Sequence, residues 1–369
     1  MPQLSKMSPP DTPVIAVDAR LVQGTSTGDS TYWSSLLYGL LRIEAKARFL
    51  LFIEGQRPHG VELDDRFEWV TIPSRASRWW SMVRFPLAAR KMGARAIHTQ
   101  YSLSPLAGKR GITTIHDVSF LIGPEWFKLK DRLILSRSVP ASVKRAAKVL
   151  AVSETCKTEI ERFIPTAVGK TVVTPNACPP WINRVDRDEA ARLVSRKLSV
   201  QQPFLLTVGT QWPRKNMRLA VEAASGLAER FPHRLVITGK HGWGELGFGT
   251  RGDAVGYVDT DILSCLYSAA DLYLAPSRHE GFGIPLLEAF RCGCPVICST
   301  GGALPEVAGD AAFVENSWEA SEWASAIAKL LDDPSKLDEL RARGLSREKL
   351  FTWEQTAQRT FEVYREVAR

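Results

Sequence analysis

The sequence lacks several features that would place it in a membrane, secreted or metal-binding class. It contains no apolar run long enough to cross a bilayer as a helix. Its opening residues, MPQLSKMSPPDTP, lack the apolar centre of a secretory signal, and we interpret them as a flexible leader. Its six cysteines form no C-x-x-C pair, and no histidine follows them at zinc-finger spacing. We therefore expect a cytoplasmic protein whose cysteines are buried, reduced thiols.

Acidic residues are scarce in the first half of the chain. Residues 1–184 carry 26 Lys and Arg against 15 Asp and Glu, a net charge of +11, whereas residues 185–369 carry 22 against 25, a net charge of −3. This asymmetry indicates that the first half meets an anionic partner. Nucleic acid, an anionic membrane surface and a phosphate-bearing substrate all fit, but no nucleic-acid-binding motif is present, so we expect no nucleic acid partner.

Residues 74–95 form the most basic segment of the first half and contain no acidic residue. Trp79 and Trp80 lie among its cations, which are Arg75, Arg78, Arg84, Arg90, Lys91 and Arg95. A basic helix rich in tryptophan can lie in the interface of an anionic membrane. The same pattern fits a packed helix whose arginine heads extend into solvent from buried stems. Peripheral membrane contact through residues 74–95 therefore stays open beside the packed alternative.

Short apolar runs alternate with helical patterns, and this order predicts an α/β fold of two Rossmann-like, doubly wound domains. The predicted strands are 14–17, 49–53, 69–72, 96–97, 113–115, 148–152 and 171–173, then 204–209, 234–238, 254–258, 271–275, 295–299 and 311–314. The predicted helices are 32–43, 80–92, 132–147, 216–230, 261–269, 285–292 and 318–331, with a polar loop over 24–30. We predict a first domain over residues 1–184 and a second over 185–352. Two such domains facing each other form a cleft at the carboxyl ends of both sheets, where ligands of open α/β sheets bind.

The strongest local signal is the string PSRHEGFGIPLLEA at residues 276–289, which directly follows a predicted strand. Gly281 and Gly283 permit a tight turn and the close approach of a ligand to the backbone. Pro285 suits the first turn of a helix, where its missing N–H is no loss. The N–H groups at this helix start, together with the positive end of the helix dipole, suit a phosphate.

Two carboxylates flank this turn. Glu280 precedes it, and Glu288 lies one turn into the helix. Since neither suits a phosphate, we expect both to accept hydrogen bonds from hydroxyls, such as those of a sugar at one end of a ligand and a ribose at the other. The alternative is an ordinary capping loop with two surface carboxylates.

A second string, GTQWPRKN at residues 209–216, also follows a strand and opens a helix. Its Arg214 and Lys215 would place two cations beside a diphosphate. Fixed cations and a helix N-terminus neutralise the charge on a departing diphosphate without a metal ion. The alternative is a pair of exposed cations in the first turn of a helix.

In the first half, the predicted strand ending at Ile115 is followed by His116 and Asp117. A histidine at the carboxyl end of a central strand points into the cleft, although such a histidine is often structural. Asp117 either orients the imidazole or caps the next turn, and we favour the cap.

Together these strings resemble the family 4 retaining glycosyltransferases of the GT-B fold. Residues 280–289 are similar to the family's E-x7-E signature, residues 209–216 to its G-T-x-x-P-R-K-N element and residues 116–121 to its H-D-x-S-F-L element. Weaker similarities extend the resemblance over residues 14–366. It implies a nucleotide-sugar donor, retention of the anomeric configuration, no metal or other cofactor, and a C-terminal helix over residues 353–369 that returns to the first domain.

The resemblance also implies roles for individual residues. The candidate catalytic residues are His116, Glu280, Lys215 and Arg214. The residues expected to bind the donor are Glu288, Gly281, Phe282, Gly283, Ile284, Leu286, Gly209, Thr210, Gly28 and Asp29. Thr210 stands where many relatives have an arginine, and Arg214 is expected to supply that charge. Asp29 lies in a loop that approaches the diphosphate or the acceptor in relatives, and since a carboxylate beside phosphate is unfavourable, it is also a candidate for acceptor contact.

The string Asp259-Thr260-Asp261 has the D-x-D form that holds a metal in another glycosyltransferase architecture. It lies at the start of the predicted helix 261–269, where an acidic residue commonly serves as the N-cap. We therefore expect a helix cap here, and no metal site.

We accordingly expect a hexosyltransferase of glycan assembly that takes GDP-mannose or a UDP-hexose as donor and a saccharide or lipid-linked acceptor, in the cytoplasm or at the inner face of a membrane. The alternative is a GT-B protein that binds a nucleotide-sugar without transferring it. A sugar phosphorylase would need a pyridoxal phosphate lysine and a much longer chain. Because no residue is an obvious nucleophile, we favour front-face transfer over a covalent intermediate.

Overall fold

A computed structural model describes residues 12–23, 28–74, 76–244 and 252–369. The strands of its first unit are β1 Val14–Asp18, β2 Arg48–Ile53, β3 Phe67–Thr71, β4 Ala96–Gln100, β5 Gly111–Ile115, β6 Lys148–Ala151 and β7 Thr171–Val173. Those of its second unit are β8 Phe204–Val208, β9 Arg234–Thr238, β10 Gly252–Gly256, β11 Leu272–Ala275, β12 Val296–Ser299 and β13 Phe313–Glu315. Within the described residues they form two parallel sheets, in the orders β3-β2-β1-β4-β5-β6-β7 and β10-β9-β8-β11-β12-β13.

Helices connect the strands and cover both faces of each sheet. The helices up to β7 are α1 Gly28–Arg42, α2 Ser77–Trp79, α3 Phe85–Lys91, α4 Ser119–Ile122, α5 Leu129–Arg145 and α6 Glu154–Phe163, with a π segment over Trp80–Arg84 between α2 and α3. The later helices are α7 Arg187–Leu198, α8 Met217–Gly226, α9 Thr260–Ala269, α10 Ile284–Arg291, α11 Leu304–Ala308, α12 Ala320–Leu331, α13 Pro334–Glu348 and α14 Trp353–Ala368. Short 3-10 turns lie at Arg20–Gln23, Pro105–Arg110, Pro124–Trp126, Pro165–Ala167 and Pro213–Lys215.

The two units share a continuous hydrophobic core. On one face of the first sheet, α3, α5 and α6 contribute Phe85, Val139 and Ile160 to a cluster that extends into the second unit at Phe204 and Leu287. Strands covered on both faces have continuous apolar runs because neither face meets water. The α/β fold of two doubly wound units predicted from the sequence is confirmed.

The last helix, α14, follows the second unit and packs against α1 on the opposite face of the first sheet. Its Tyr364 hydroxyl lies 2.6 Å from Nδ1 of the buried His98, whose Nε2 lies 2.8 Å from Thr114 Oγ1. Burial lowers the pKa of His98 to about 3, so this imidazole is neutral and structural. The indole N–H of Trp353 donates to the carbonyl of Cys178 at 2.9 Å. The first unit is therefore completed by residues from the far end of the chain.

The strands match the predicted runs closely, and the predicted helices differ from the observed ones mainly at their ends. Three long helices, α6, α7 and α13, were not predicted. The helix predicted over 216–230 ends at Gly226. Helix α1 begins at Gly28, so residues 28–30 belong to its first turn and the prediction of a loop at these three residues is wrong. An aspartate in the first turn is favoured by the helix dipole. The rest of the predicted loop, residues 24–27, and the leader up to residue 11 lie outside the described residues.

The basic segment 74–95 is mostly a continuous helical stretch that packs on the first sheet. Trp80 is fully buried, stacks on Phe85 with ring centroids 5.2 Å apart, and donates its indole N–H to a main-chain carbonyl at 2.8 Å. Trp79 is 58% exposed. At Trp80 the structure therefore agrees with the packed alternative, because this ring fills the core and cannot face a membrane. Arg75 lies outside the described residues.

All six cysteines are buried and unpaired, as predicted for reduced thiols. Within the described ranges, every helix is too short or too polar to span a bilayer.

Candidate active site

The loops that follow β5, β8 and β11 meet between the two sheets. After β11, residues 276–283 turn sharply and α10 starts at Ile284. Gly283 has a φ of 100°, a conformation that other residues strongly disfavour. Gly281 packs directly on the main-chain carbonyl of His116, and a Cβ at this glycine would lie 1.7 Å from that oxygen. The glycines of the predicted turn therefore allow a loop of the second unit to contact the His116 loop of the first.

Glu280 is buried and holds both cations of the neighbouring turn. Lys215 Nζ donates to its Oε1 at 2.6 Å, and Arg214 Nη1 donates to its Oε2 at 3.0 Å. The Ser277 hydroxyl donates to Oε1 at 2.6 Å. Burial acts to raise the pKa of Glu280, but the two cations outweigh it and lower that pKa to about 2. The ionised carboxylate thus balances one of the two positive charges.

Glu288 is also buried, but its surroundings are different. The Tyr267 hydroxyl donates to its Oε2 at 2.9 Å. Burial dominates here and raises the pKa of Glu288 to about 7, while the hydrogen bond from Tyr267 and the charges of Lys215 and Arg291 act in the opposite direction. At neutral pH the two motif carboxylates therefore differ in charge, since Glu280 is fully ionised and Glu288 is about half protonated.

His116 is enclosed by aromatic rings at the end of β5. The Tyr32 ring meets it edge-on with centroids 4.8 Å apart, and the Tyr101 ring is tilted against it at 5.7 Å. Its Nε2 is buried and makes no hydrogen bond with any described residue, and Asp29 Oδ1 lies 3.9 Å away. Burial lowers the pKa of His116 more than the nearby carboxylates raise it. The imidazole is therefore neutral at neutral pH, and its buried Nε2 is unsatisfied among the described residues.

Asp117 behaves as the predicted cap. Its Oδ1 accepts the main-chain N–H of Ser119 at 2.8 Å, within the first turn of α4. Burial acts to raise the pKa of Asp117, but nearby Arg214 and the bonds from Ser119 outweigh it and lower that pKa. The carboxylate stays ionised and faces the cations of the second unit.

Polar contacts join the two units around these loops. The Glu306 carboxylate accepts the first two main-chain N–H groups of α6, at 2.9 and 2.8 Å, and so caps a helix of the other unit. His279 Nε2 lies 2.9 Å from a Glu159 oxygen. Ser153 Oγ donates to the carbonyl of Gly281 at 2.7 Å. The two units are therefore in direct polar contact at these loops.

Three predicted donor-binding residues belong to the turn and first positions of α10. The side chains of Phe282 and Leu286 are buried in the shared core, and Phe282 packs edge-on against Phe351. Ile284 is partly buried at the first position of the helix. At Phe282 and Leu286 the main chain, and not the side chain, is therefore what a ligand can meet.

The other predicted donor-binding residues lie at two further loops. Gly209 and Thr210 follow β8, and Gly209 has a φ of 144°. A Cβ at Gly209 would contact the Lys215 side chain at 3.4 Å, so this loop adjoins the cation cluster. Gly28 and Asp29 approach from the first unit, on the side of His116. The structure thus brings the four catalytic candidates and the donor-binding candidates to the same junction between the units.

Several residues of this junction were not anticipated from the sequence. Tyr267 lies within a predicted helix and Tyr101 in the loop after β4, and neither belongs to a motif. Tyr101 has a φ of 53°, which is uncommon for an aromatic residue, and such backbone strain clusters at functional sites. Ser277 lies inside the motif string, but its bond to Glu280 depends on the turn geometry.

The D-x-D string caps a helix. Asp259 Oδ1 accepts the main-chain N–H of Ile262 at 3.0 Å at the start of α9, so the cap interpretation is confirmed. In the part of the chain that the structure describes, no three His, Cys, Asp or Glu side chains cluster in a way that suits a metal ion.

Comparisons with known proteins agree with this architecture. Residues 192–347 match the family model of glycosyl transferases group 1. The chain is 34% identical over 269 residues to the O-antigen chain mannosyltransferase B of Escherichia coli, a match that covers 70% of each protein. Its fold is similar to that of sucrose-phosphate synthase from Thermosynechococcus elongatus, with a TM-score of 0.73, 22% identity and coverage of 96% of this chain and 98% of that one. It is also similar to Anabaena HepE in complex with UDP and glucose, with a TM-score of 0.70, 19% identity and coverage of 95% and 99%. The chain therefore belongs to the group 1 glycosyltransferases and has their GT-B fold.

Proposed function

We propose that this protein is a retaining, metal-independent family 4 glycosyltransferase that moves a hexose from a nucleotide-sugar to a saccharide or lipid-linked acceptor in glycan assembly. The observation that carries the proposal is the buried cluster of Glu280, Arg214 and Lys215 beside the His116 loop. Similarity to the O-antigen chain mannosyltransferase B favours mannose, and so GDP-mannose over a UDP-hexose as the donor. The alternative is a nucleotide-sugar-binding protein of the same fold without transferase activity.

The cation cluster suits the leaving group of this reaction. As the bond to the anomeric carbon breaks, negative charge builds on the β-phosphate of the departing nucleoside diphosphate. Arg214, Lys215 and the N–H groups at the start of α10 stabilise that charge in place of a metal ion. A bound diphosphate competes with Glu280 for Lys215, and the released oxygen of Glu280 then accepts a hydroxyl of the sugar.

The other residues of the junction take complementary roles. Glu288 accepts the ribose hydroxyls, and the neutral imidazole of His116 meets a sugar hydroxyl through the unbonded Nε2. Because Glu280 is held by two cations, it is a poor nucleophile, and this disfavours a covalent intermediate. Transfer therefore occurs on the front face of the sugar, with a phosphate oxygen of the leaving group taking the proton of the acceptor.

We propose that the acceptor binds on the side of the first unit. Asp29 Oδ1 lies 3.9 Å from His116 Nε2, and on this ground we propose that Asp29 accepts a hydroxyl of the acceptor. The net charge of +11 over residues 1–184 suits an anionic acceptor or an anionic membrane that carries it. We place the protein in the cytoplasm at the inner face of a membrane, and peripheral contact through residues 74–95, now with Trp79 alone as its tryptophan, is part of the proposal.

A transfer assay in EDTA tests this function. The purified protein is incubated with GDP-mannose, UDP-glucose or UDP-galactose and lipid-linked or free saccharide acceptors, and NMR reports the anomeric configuration of the product. We expect transfer from one donor, with retained configuration and no loss in EDTA. Loss in EDTA that Mn²⁺ restores, or an inverted product, would contradict the proposal. Donor binding without transfer to any acceptor would favour the binding-protein alternative.

A pair of lysine variants sharpens the assay. Lys215→Gln should lower kcat by about a hundredfold or more, the usual cost of removing one group that stabilises a developing anion. The control is Lys197→Gln, which removes an equal charge from the exposed surface of α7 and should leave kcat unchanged. Equal kcat values for Lys215→Gln and Lys197→Gln would show that the cluster of Glu280, Arg214 and Lys215 takes no part in the mechanism.

A further inference from the structure

Two tryptophans lie side by side at the edge of the junction between the units. Trp212 is in the loop after β8 and Trp243 in the loop after β9, with ring centroids 5.5 Å apart and ring planes inclined by 35°. Trp212 is partly buried, and Trp243 is 37% exposed. Neither ring is among the catalytic or donor-binding candidates. Because proteins bury most of the surface of a tryptophan, an exposed pair beside a reaction centre is a candidate for ligand contact.

The main chain holds Trp243 against Trp212. The Gly244 N–H donates to the carbonyl of Gln211 at 2.9 Å. A Cβ at Gly242 would lie 2.1 Å from the same carbonyl oxygen and 2.7 Å from Trp212 Cδ1, so only a glycine permits this approach. The loop that carries Trp243 therefore lies directly on the loop that carries Trp212. The two rings are positioned by the main chain, as a preformed binding surface requires.

The tryptophan pair connects the catalytic cations with the first unit. The guanidinium of Arg214 lies 5.9 Å from the centre of the Trp212 ring. On the other side, the ammonium of Lys128 lies 5.1 Å from the centre of the Trp243 ring. Lys128 is exposed and immediately precedes α5, in the first unit. The two rings thus lead from the cation cluster to the side of the junction where we place the acceptor.

The chemistry of the pair suits the face of a sugar ring. A sugar ring presents weakly positive C–H groups on its faces, whereas the face of an indole ring carries partial negative charge. The hydroxyls at the rim of the sugar accept hydrogen bonds from an ammonium such as that of Lys128. A nucleobase also stacks on indole, but the strand order β9-β8-β11 puts the pair on the opposite side of Lys215 from Glu288, to which we assign the ribose. The nucleoside of the donor therefore extends away from the pair.

We propose that Trp212 and Trp243 form a saccharide-binding platform for the acceptor, with Lys128 donating hydrogen bonds to the hydroxyls of the stacked sugar. Because the rings lie beside the catalytic cations, the platform holds the sugar next to the one that is glycosylated. The enzyme therefore prefers acceptors of two or more sugars. The inference rests on the proposed function for the reaction, and it adds a surface of the second unit to the recognition of the acceptor.

Steady-state kinetics with a saccharide acceptor test the platform. Trp243→Ala should raise the KM for the acceptor about tenfold, the scale of one aromatic stacking contact, and leave kcat and the KM for the donor nearly unchanged. Trp243→Tyr keeps an aromatic ring and should restore most of the loss. The control is Trp181→Ala, because Trp181 is also 37% exposed but lies between β7 and α7. An unchanged acceptor KM in Trp243→Ala, or equal increases in both alanine variants, would overturn the proposal.

The length of the acceptor gives a second test. A methyl glycoside of one sugar does not reach the platform, so its KM should be the same for the wild type and for Trp243→Ala. Lys128→Gln should raise the KM for longer acceptors severalfold, as expected for one lost hydrogen bond. The matched control is Lys130→Gln, which removes an exposed cation two residues further along and should have no effect. Equal losses for short and long acceptors would contradict the platform.

Binding measurements separate this inference from the proposed function. In saturation-transfer NMR, trisaccharides of mannose, glucose and N-acetylglucosamine are compared, and at least one should bind the wild type but not Trp243→Ala. Titration calorimetry with GDP and UDP should give the same affinities for both proteins, and a loss in the variant would instead assign the rings to the donor base. Saccharide binding through Trp243 without any transfer would refute the proposed function and sustain this inference. Transfer in which Trp243 plays no part would refute the inference alone.

Discussion

The buried carboxyl of Glu288 should make nucleotide binding depend on pH. Burial raises the pKa of Glu288 to about 7, whereas ribose hydroxyls donate their hydrogen bonds most strongly to an ionised carboxylate. An acid with this pKa is about nine-tenths ionised at pH 8 and about one-tenth ionised at pH 6. We therefore expect the affinity for the preferred nucleoside diphosphate to fall about tenfold from pH 8 to pH 6, or roughly 1.4 kcal/mol.

Titration calorimetry across this pH range measures the effect. The terminal phosphate of the ligand also gains a proton near pH ~6, so the wild type is compared with Glu288→Gln, which cannot ionise. The affinity of the wild type for the nucleotide should fall more steeply with decreasing pH than that of Glu288→Gln. Tyr267→Phe removes a hydrogen bond that lowers the pKa of Glu288, and its fall should begin at higher pH. Parallel curves for the wild type and Glu288→Gln would refute the reasoning.

The same group affects the stability of the ligand-free protein. The pKa of Glu288 is raised in the folded state from 4.5 to about 7, so its contribution to folding is fully present below pH 4.5 and is lost as the pH rises through 7. This difference corresponds to roughly 3 kcal/mol. The Tm of the wild type should therefore fall relative to that of Glu288→Gln as the pH rises from about 5 to about 8. A constant difference would mean that the carboxyl is not buried.

Three other variants test separate parts of the site. The contribution of Glu280 to folding stability depends on pH in the opposite direction to that of Glu288. The pKa of Glu280 is lowered in the folded state from 4.5 to about 2, so its contribution is lost only as the pH falls through that range. Glu280→Gln should lower the free energy of unfolding at neutral pH by about 3 kcal/mol in urea titrations. The variant should nevertheless bind nucleoside diphosphate at least as tightly as the wild type, because Lys215 is released from its carboxylate partner. Weaker diphosphate binding would contradict this pairing of Glu280 with Lys215. Asp259→Ala should lower the free energy of unfolding by about 1 kcal/mol, because α9 loses its cap, and should leave sugar transfer in EDTA intact. A loss of transfer that Mn²⁺ restores would instead identify Asp259 as a metal ligand. Glu306→Ala should lower the free energy of unfolding in urea titrations by about 1 kcal/mol through the lost cap of α6, and an unchanged free energy of unfolding would show that this cap does not stabilise the protein.

Local chemistry made much of the fold predictable. A strand such as Arg48–Ile53 is buried on both faces, so its apolar run is continuous and visible in the sequence. Helix caps such as Asp259 depend on neighbours within one turn. The glycines at 281 and 283 were predictable for the same reason, because a tight turn restricts the residue types that can form it.

The features that the sequence did not predict depend on contacts between residues that are distant in the chain. Glu280 meets Lys215 and Arg214 across 65 and 66 positions of sequence, so its charge pairing is invisible to a motif. Trp79 and Trp80 are neighbours in the chain, yet one is exposed and the other buried, because successive residues of a helix point in different directions. Composition shows that both are present, but packing decides which one faces the solvent.

The return of α14 to the first sheet has a consequence for how the protein is made. Domains generally fold during synthesis in the order in which they leave the ribosome. Here Phe361 and Tyr364 fill the face of the first sheet that α1 covers, so that face keeps an open apolar groove until residues 353–368 have been translated. The unit whose strands are made first is therefore the last to be finished. A nascent chain would hold this groove open throughout the synthesis of the second unit, and chaperones that bind exposed apolar segments would find it there.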